Sequence, residues 1–355
     1  MILKYFRKKI LENRTKPLQI KNRMLHEKNK FKNFNFQYKS FGEKNLKKIF
    51  FVIRRIRGAG FFSNLNFVIY NLYISEKLGL IPFIDMENYP NIYNCKKKIN
   101  GTKNSWEYFF EPVSKYKLNE VYKSKNIIFS DTKTSKNNLF SKINYKNEFK
   151  YLNGFSNLTD EHYKIFKKYI VIKKEILNIA NNFYKENLDK KKVLGICFRG
   201  SDQKRSAYHP YPPTEEQMLN TTETLMKKFK FEKIYLCTED MYYLNLYKKK
   251  YKNKLIYFNN PRTDDKKDLF ESNIKDHRYK IGRGNLIDMI ILSKTNHLLH
   301  GISNIPSAAI FYSNKKSFPV TVINNGMSGN IFISQFSFYV KKMLPPFFGG
   351  FKNKY

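Results

Sequence analysis

Apolar positions along this chain keep two rhythms, consecutive β-branched and aromatic residues in short runs and a three-to-four-residue spacing in longer ones, and the two alternate. In "KIFFVIRRIRGAGFFSNLNFVIYNLYISEKLGLIPFIDMENYP" the run over 49–53 predicts a strand, and Gly58 and Gly60 predict a turn. Helical spacing follows over about 63–78, and residues 81–84 predict a second short strand. Such a β-loop-α-β unit implies a parallel sheet. The second half alternates more cleanly. A strand over 193–198 leads to a helix over about 214–229, opened by Pro213 with Thr214 as cap and Gln217 three residues on. Predicted strands at 234–238, 255–258, 297–300 and 320–323 alternate with a helix ending near 251, another over 284–294 and a third starting near 305.

Strands alternating with helices predict a doubly wound α/β domain, whose ligand sits beyond the carboxyl ends of its strands. The 355 residues are about twice the usual domain length, so two domains are expected, with a cleft between them. The pattern divides into a basic N-terminal arm over 1–47, an N-terminal Rossmann-like domain over 48–188, a C-terminal Rossmann-like domain over 189–330 and a tail over 331–355. Residues 94–150 are polar and read as long loops or an insertion, Lys/Asn/Ser-rich at 131–149. Helical spacing over about 160–188 predicts the connection between the domains.

Charge changes the picture more than any motif. Lys and Arg number 67 against 29 Asp and Glu, a net +38, so a polyanionic partner would be drawn to the field. The lysines are spread along the whole chain and interleaved with Asn, Tyr and Phe, so no specific nucleic-acid binding is expected and compositional bias is the plainer account. A hydrophobic fraction of 41% excludes a disordered composition. A mean hydropathy of −0.60 and no apolar run near eighteen residues predict no membrane span. The opening "MILKYFRKKILENRTK" does not read as a secretory signal, and a cytoplasmic location is expected. Cys95, Cys197 and Cys237 are odd in number and far apart; buried small hydrophobes are expected, with neither disulfide nor zinc. The ends "MILKYFRKK" and "MLPPFFGGFKNKY" combine basic and aromatic residues, which suits peripheral contact with an anionic membrane.

Candidate chemistry gathers at strand ends. In "KKVLGICFRGSDQKRSAYHPYPP" a buried strand delivers Arg199 and Asp202 to its carboxyl end. An arginine fork there suits a diphosphate; an arginine closing a strand and paired with Asp202 is the alternative. In "HLLHGISNIPSAAIF" Ser303 and Asn304 open a helix after a strand, which is either an anion site or an ordinary cap. "RGAGFFSN" carries Gly58, Gly60 and Asn64 after the first strand of the other domain; its G-x-G lacks the third glycine of a dinucleotide fingerprint. Asp288, on an apolar helix, either accepts from the N1–H and N2–H edge of guanine or faces solvent. Asp202, Glu87 and Glu111 are the candidate bases toward an acceptor hydroxyl. The six histidines, His209 among them, show no metal-binding spacing, and no metal is expected.

"GICFRGSD" with "HPYPPTEEQ", then "KIYLCTED", then "LIDMIILSKTNHLLHGISN" resembles, in order and spacing, the three peptide motifs of the fucosyltransferase superfamily, which includes the α-1,6-, nodulation and protein O-fucosyltransferases. The resemblance covers about 195–312, and "IRGAGFFSNLNFVIYNLYISEKLG" is similar to the family's N-terminal glycine loop and helix. It implies a GT-B enzyme of two Rossmann-like domains facing a cleft. Such an enzyme takes GDP-fucose as donor, needs no cofactor or metal, and inverts at the anomeric carbon as it transfers to a hydroxyl of a glycan or lipid-linked glycan. By motif position, Arg199 would hold the β-phosphate, Asp288 the guanine, Ser303 and Asn304 the phosphates, and the Gly58–Gly60 loop with Asn64 would close over the donor. The chain departs from the pattern at Cys197, Gly200, Gln203 and Ala59, where the family commonly has histidine, a basic residue, lysine and, in some members, glutamate. The rival readings are a GT-B transferase for another nucleotide sugar and, from a different class, a basic nucleic-acid-binding protein.

Overall fold

Two clusters of short apolar strands each bury their side chains separately, and the chain accordingly divides into two compact units, residues 1–149 with 157–173 and residues 150–156 with 174–355. The computed structural model describes residues 37–55, 59–130, 158, 160–200, 203–263, 269–270, 274–315, 317–329 and 331–352.

The N-terminal unit contains β1 (Gln37–Lys39), β2 (Lys44–Ile53), α1 (Phe61–Lys77), β3 (Ile81–Ile84), α2 (Leu118–Val121), β4 (Ser124–Phe129) and α3 (Asp160–Tyr169). Its sheet has the order β1-β4-β2-β3, with β2 parallel to both neighbours and β1 antiparallel to β4. Phe50 and Val52 of β2 sit in register with Ile127 and Phe129 of β4 and form, with Phe83 and Val121, one core cluster. Thirteen of the residues of α1 are buried, among them Phe67, Val68, Ile69 and Leu72, so this helix is a core element and not a surface one.

The C-terminal unit contains α4 (Lys174–Asn187), β5 (Val193–Cys197), α5 (Glu215–Phe229), β6 (Lys233–Cys237), α6 (Met241–Tyr251), β7 (Leu255–Ile256), α7 (His277–Leu292), β8 (His297–Gly301), α8 (Asn304–Ser313), β9 (Val320–Ile323) and α9 (Ile331–Met343). Its strands run in the order β7-β6-β5-β8-β9, every pairing parallel. All five residues of β5 are buried, as a strand covered on both faces requires. On one face Leu194, Ile196 and Phe198 join Leu236, Leu299 and Met218, with the Phe198 ring stacked on Tyr243 at 3.7 Å. On the other, Gly195 admits Thr295 and Leu292, and a Cβ there would stand 2.7 Å from the Thr295 hydroxyl.

Several elements differ from the expectation. The reading over 94–150 as loops misses β4, whose "SKNIIF" has only three consecutive apolar residues yet pairs between β1 and β2. The arm ending at 47 overruns β1 and the first residues of β2. The single helix over 160–188 is two, because Glu111 N–H donates to Val171 O at 2.8 Å and Lys173 N–H to Phe109 O at 3.0 Å, so backbone at 171–173 pairs sideways instead of along a helix. The division between units falls there, so α4 belongs to the C-terminal unit and not to the N-terminal one. The tail read over 331–355 includes a helix, α9, with Phe338 buried.

The cap at the start of α5 is as the spacing predicts. Gln217 N–H donates to Thr214 Oγ1 at 3.1 Å, and Thr214 N–H donates to Gln217 Oε1 at 2.8 Å. Thr214→Ala therefore strips one orphan N–H of its partner and should lower unfolding free energy by about 1 kcal/mol in urea titration; an unchanged midpoint would mean that the wider contacts of Gln217 hold the helix start without the hydroxyl.

Candidate functional site

In the C-terminal unit the chain moves outward from β5 to β6 and β7, then returns to lay β8 on the other side of β5. The strand order reverses between β5 and β8, and loops leaving a parallel sheet at such a point diverge and leave a crevice at its carboxyl end. Arg199 leaves β5 there, and Ser303 and Asn304 leave β8 there. The two loops are linked: Gln203 Nε2 donates to Ile302 O at 3.5 Å, and Pro213 packs so closely on Gly301 that a Cβ at 301 would lie 2.5 Å from its ring. Two of the residue groups expected at an anion site therefore stand at one end of one sheet.

Arg199 is half-buried, and its Nε lies 3.3 Å from Glu239 Oε1 in an ion pair. Cys197 and Cys237 are register partners on β5 and β6, and Arg199 and Glu239 follow them at the same two-residue offset. The sequence reading did not single out Glu239. Equal offsets from the ends of two neighbouring strands were the signal, legible only once the register was known. Glu239 is held in turn by the loop after β7: Thr263 N–H donates to Glu239 O and Met241 N–H to Thr263 O, both at 2.8 Å. Asp202, whose pairing with Arg199 was the alternative reading, lies outside the described residues.

Ser303 caps α8 with extended backbone, and its hydroxyl makes no capping bond to the helix. Pro306 at the third helical position has no N–H, so the donors offered by this first turn are those of Asn304 and Ile305 beside the Ser303 hydroxyl.

In the N-terminal unit the turn after β2 is basic as well as glycine-containing. Gly60 caps α1 with open space where a Cβ would stand, and Gly58 lies outside the described residues. Asn64 is buried; its Nδ2 donates to Ala59 O at 3.3 Å, and its Oδ1 accepts nothing among the described residues. Arg55, not singled out from the sequence, lies over the Phe67 ring at 4.5 Å and donates to Ser63 Oγ at 3.1 Å; burial pulls its pKa down to about 10, still cationic at neutral pH. Of the other candidate bases, Glu111 pairs with Lys173 at 3.0 Å, and Glu87 donates its backbone N–H to Asp85 Oδ1.

Asp288 is buried, against the reading of a solvent-side helix residue. Its Oδ1 accepts from the Tyr235 hydroxyl and its Oδ2 from Asn260 Nδ2 at 2.6 Å. Gly284, one turn earlier on α7, leaves the space that the Asn260 amide occupies; a Cβ there would overlap it. Burial raises the Asp288 pKa to about 6 against the opposing pull of Tyr235 and Arg262, and burial together with the Asp288 charge pushes the Tyr235 phenol well up. Cys197 and Cys237 are buried and Cys95 half-buried, all as free thiols. Among the described residues no group of His, Cys, Asp and Glu is placed to hold a metal ion, and no helix is long and apolar enough to cross a membrane.

No protein-family model matches the sequence, and no curated protein matches it. Among solved structures, the chain is similar to the NodZ alpha-1,6-fucosyltransferase co-crystallized with GDP, at 16% identity and a TM-score of 0.48 over 80% of this chain and 99% of that one. Similarity to fucosyltransferase NodZ from Bradyrhizobium is 15% with a TM-score of 0.44, over 74% and 92% of the two chains. Similarity to POFUT1 in complex with GDP-fucose is 9% with a TM-score of 0.45, over 78% and 98%.

The buried carboxyl makes stability pH-dependent in a known direction. The folded-state pKa of Asp288 lies above the ordinary 3.8, so folding favours its neutral form; that contribution is complete below about pH 4 and is lost as pH rises through about 6. Two pK units correspond to about 3 kcal/mol. Asp288→Asn cannot titrate, so between pH 4 and pH 7 it should gain about that much stability relative to the unsubstituted protein in denaturant titrations at each pH. A difference between the two proteins that stays constant with pH would show that the carboxyl titrates normally.

Proposed function

We propose that this protein is an inverting glycosyltransferase that moves fucose from GDP-fucose to a hydroxyl of a glycan or lipid-linked glycan. The observation that carries the reading is the convergence of the first and third fucosyltransferase-like motifs, Arg199 and Ser303–Asn304, on the switch point between β5 and β8. Two α/β units in one chain, one with an all-parallel sheet and one with a single antiparallel edge strand, suit the GT-B architecture that those motifs imply.

Cleavage of a sugar–phosphate bond builds positive charge on the ring and negative charge on the departing diphosphate. Fixed cations and N–H dipoles beside the diphosphate bind that transition state more tightly than the ground state. Arg199 would grip the β-phosphate through its fork, with Glu239 holding the guanidinium in orientation; the Ser303 hydroxyl and the first N–H groups of α8 would take further phosphate oxygens. Gly60 and Asn64, with Gly58, are the donor-binding residues proposed for the N-terminal unit, and the open space at Gly60 and the unmatched Asn64 Oδ1 support that role. Asp202 is the proposed base, and no metal enters the scheme.

A second reading keeps the chemistry and changes the base of the nucleotide. Each Asp288 oxygen already accepts one hydrogen bond, from Tyr235 or from Asn260, so guanine would have to use the remaining lone pairs; a transferase for another nucleotide sugar is the alternative. Thermal shifts separate the two. GDP should raise the melting temperature more than UDP or ADP, because only ligand bound to the folded state stabilises it; equal shifts for all three would remove Asp288 from the site.

Arg199 supplies the decisive variant. Lysine keeps the charge and loses the fork, and a preorganised donor aimed at developing charge contributes on the order of 10² to 10³ in turnover. Arg199→Lys and Arg199→Ala should both lose about that much, with thermal midpoints close to that of the unsubstituted protein. A folded lysine variant with near-normal turnover would show that the arginine only closes its strand, and transfer abolished by EDTA and restored by Mg²⁺ would refute the metal-free scheme.

A further inference from the structure

The last helix, α9, is apolar on two opposite sides. Inward, Phe338 is buried against Tyr211 and Phe351, and the Tyr211 hydroxyl donates to Ser337 Oγ at 2.8 Å. Outward, Phe336, Val340 and Met343 succeed one another at steps of four and three, and the 3₁₀ turn at Pro346–Phe348 adds Phe347 and Phe348. All five are more than half exposed, Phe347 at 91%. A helix on the surface of a folded unit ordinarily presents polar residues to water, and a stripe of large apolar side chains marks a contact surface.

Charge selects what the stripe contacts. Residues 331–355 hold Lys341, Lys342, Lys352 and Lys354 and no acidic residue. Lys341 Nζ donates to Gly349 O at 3.1 Å, Lys342 pairs with Glu215 at 2.6 Å, and Arg205 Nη2 donates to the Tyr339 hydroxyl at 3.5 Å, so basic groups flank the stripe on fixed stems. A second copy of this chain docking through the same face would set like charge against like, on molecules that each carry +38. An anionic surface with an apolar interior complements both features. We propose that α9 and the turn after it form a docking surface for an anionic lipid bilayer, with Phe336, Val340, Met343, Phe347 and Phe348 entering the headgroup boundary and Arg205 and Lys341 facing the lipid phosphates. The surface lies on the C-terminal unit alone, and it stands whether or not the donor is GDP-fucose.

The test is co-sedimentation of the full chain with vesicles of equimolar phosphatidylcholine and phosphatidylglycerol and with vesicles of phosphatidylcholine alone. The chain should sediment with the mixed vesicles and far less with the neutral ones, and Phe336→Ser with Phe347→Ser should lower the partition coefficient at least roughly tenfold. Both positions are exposed, so the thermal midpoint should hold. If that pair does not fold, Met343→Ser with Phe348→Ser gives the same readout. Equal binding by variant and unsubstituted protein would assign the attraction to dispersed lysines, and equal binding to both vesicles, or to neither, would overturn the proposal. Self-association of the unsubstituted chain that the variant abolishes would give the face to a second copy instead.

Discussion

The in-register parallel pairing of β5 with β6 on one side and β8 on the other is the constraint on which the candidate site depends. Leu194 aligns with Ile234 and His297, and Cys197 with Cys237 and His300, so the three strands end at one level. Each strand then releases its chain at that level, and a residue placed at a given offset on one strand meets the residue at the same offset on the next. Arg199 and Glu239 meet in this way. A slip of one residue would turn every side chain of β5 to the opposite face, and it would bring a larger side chain to the place where Gly195 admits Thr295 and Leu292.

A second constraint lies under the sheet edge. Asp288 and Tyr235, both buried, and the half-buried Asn260 form a polar group in which each carboxylate oxygen accepts one hydrogen bond, and these bonds rigidify it. It ties α7 to β6 and to the loop after β7. Arg262 of that loop donates to Asn260 O at 3.0 Å and Phe258 O at 2.7 Å, while Thr263 joins the segment carrying Glu239. The orientation of the Arg199 guanidinium is therefore linked, through Glu239 and Thr263, to a loop held by a carboxyl on another element. The cost is a charge in a dry setting, visible in the raised pKa of Asp288.

With 67 basic residues and 29 acidic ones, most cations in this chain cannot find a carboxylate. Aromatic rings and backbone carbonyls take their place. Arg54 lies 4.8 Å from the Phe129 ring and donates to Ser130 O at 3.1 Å; Arg55 covers Phe67; Lys204, itself buried, lies 5.1 Å from the Tyr243 ring. Ring faces accept such cations without adding negative charge.

Periodicity alone located β2, β3 and the five strands of the C-terminal unit, because long apolar runs bounded by turn residues have few other ways to be buried. The Thr214 cap and the position of Arg199 after β5 were equally local, resting on residues a few positions apart. What depended on distant partners was not legible. β4 carries too few apolar residues to announce itself and is a strand because β1 and β2 supply its hydrogen bonds. The start of α7 lies at His277, seven residues before the reading placed it, since two glycines weaken the helical signal and only Asn260, packed against Gly284, explains one of them. Arg199 could be assigned to a strand end from the sequence, but its partner could not, because Glu239 lies forty residues away and register, a property of strands already paired, brings the two together.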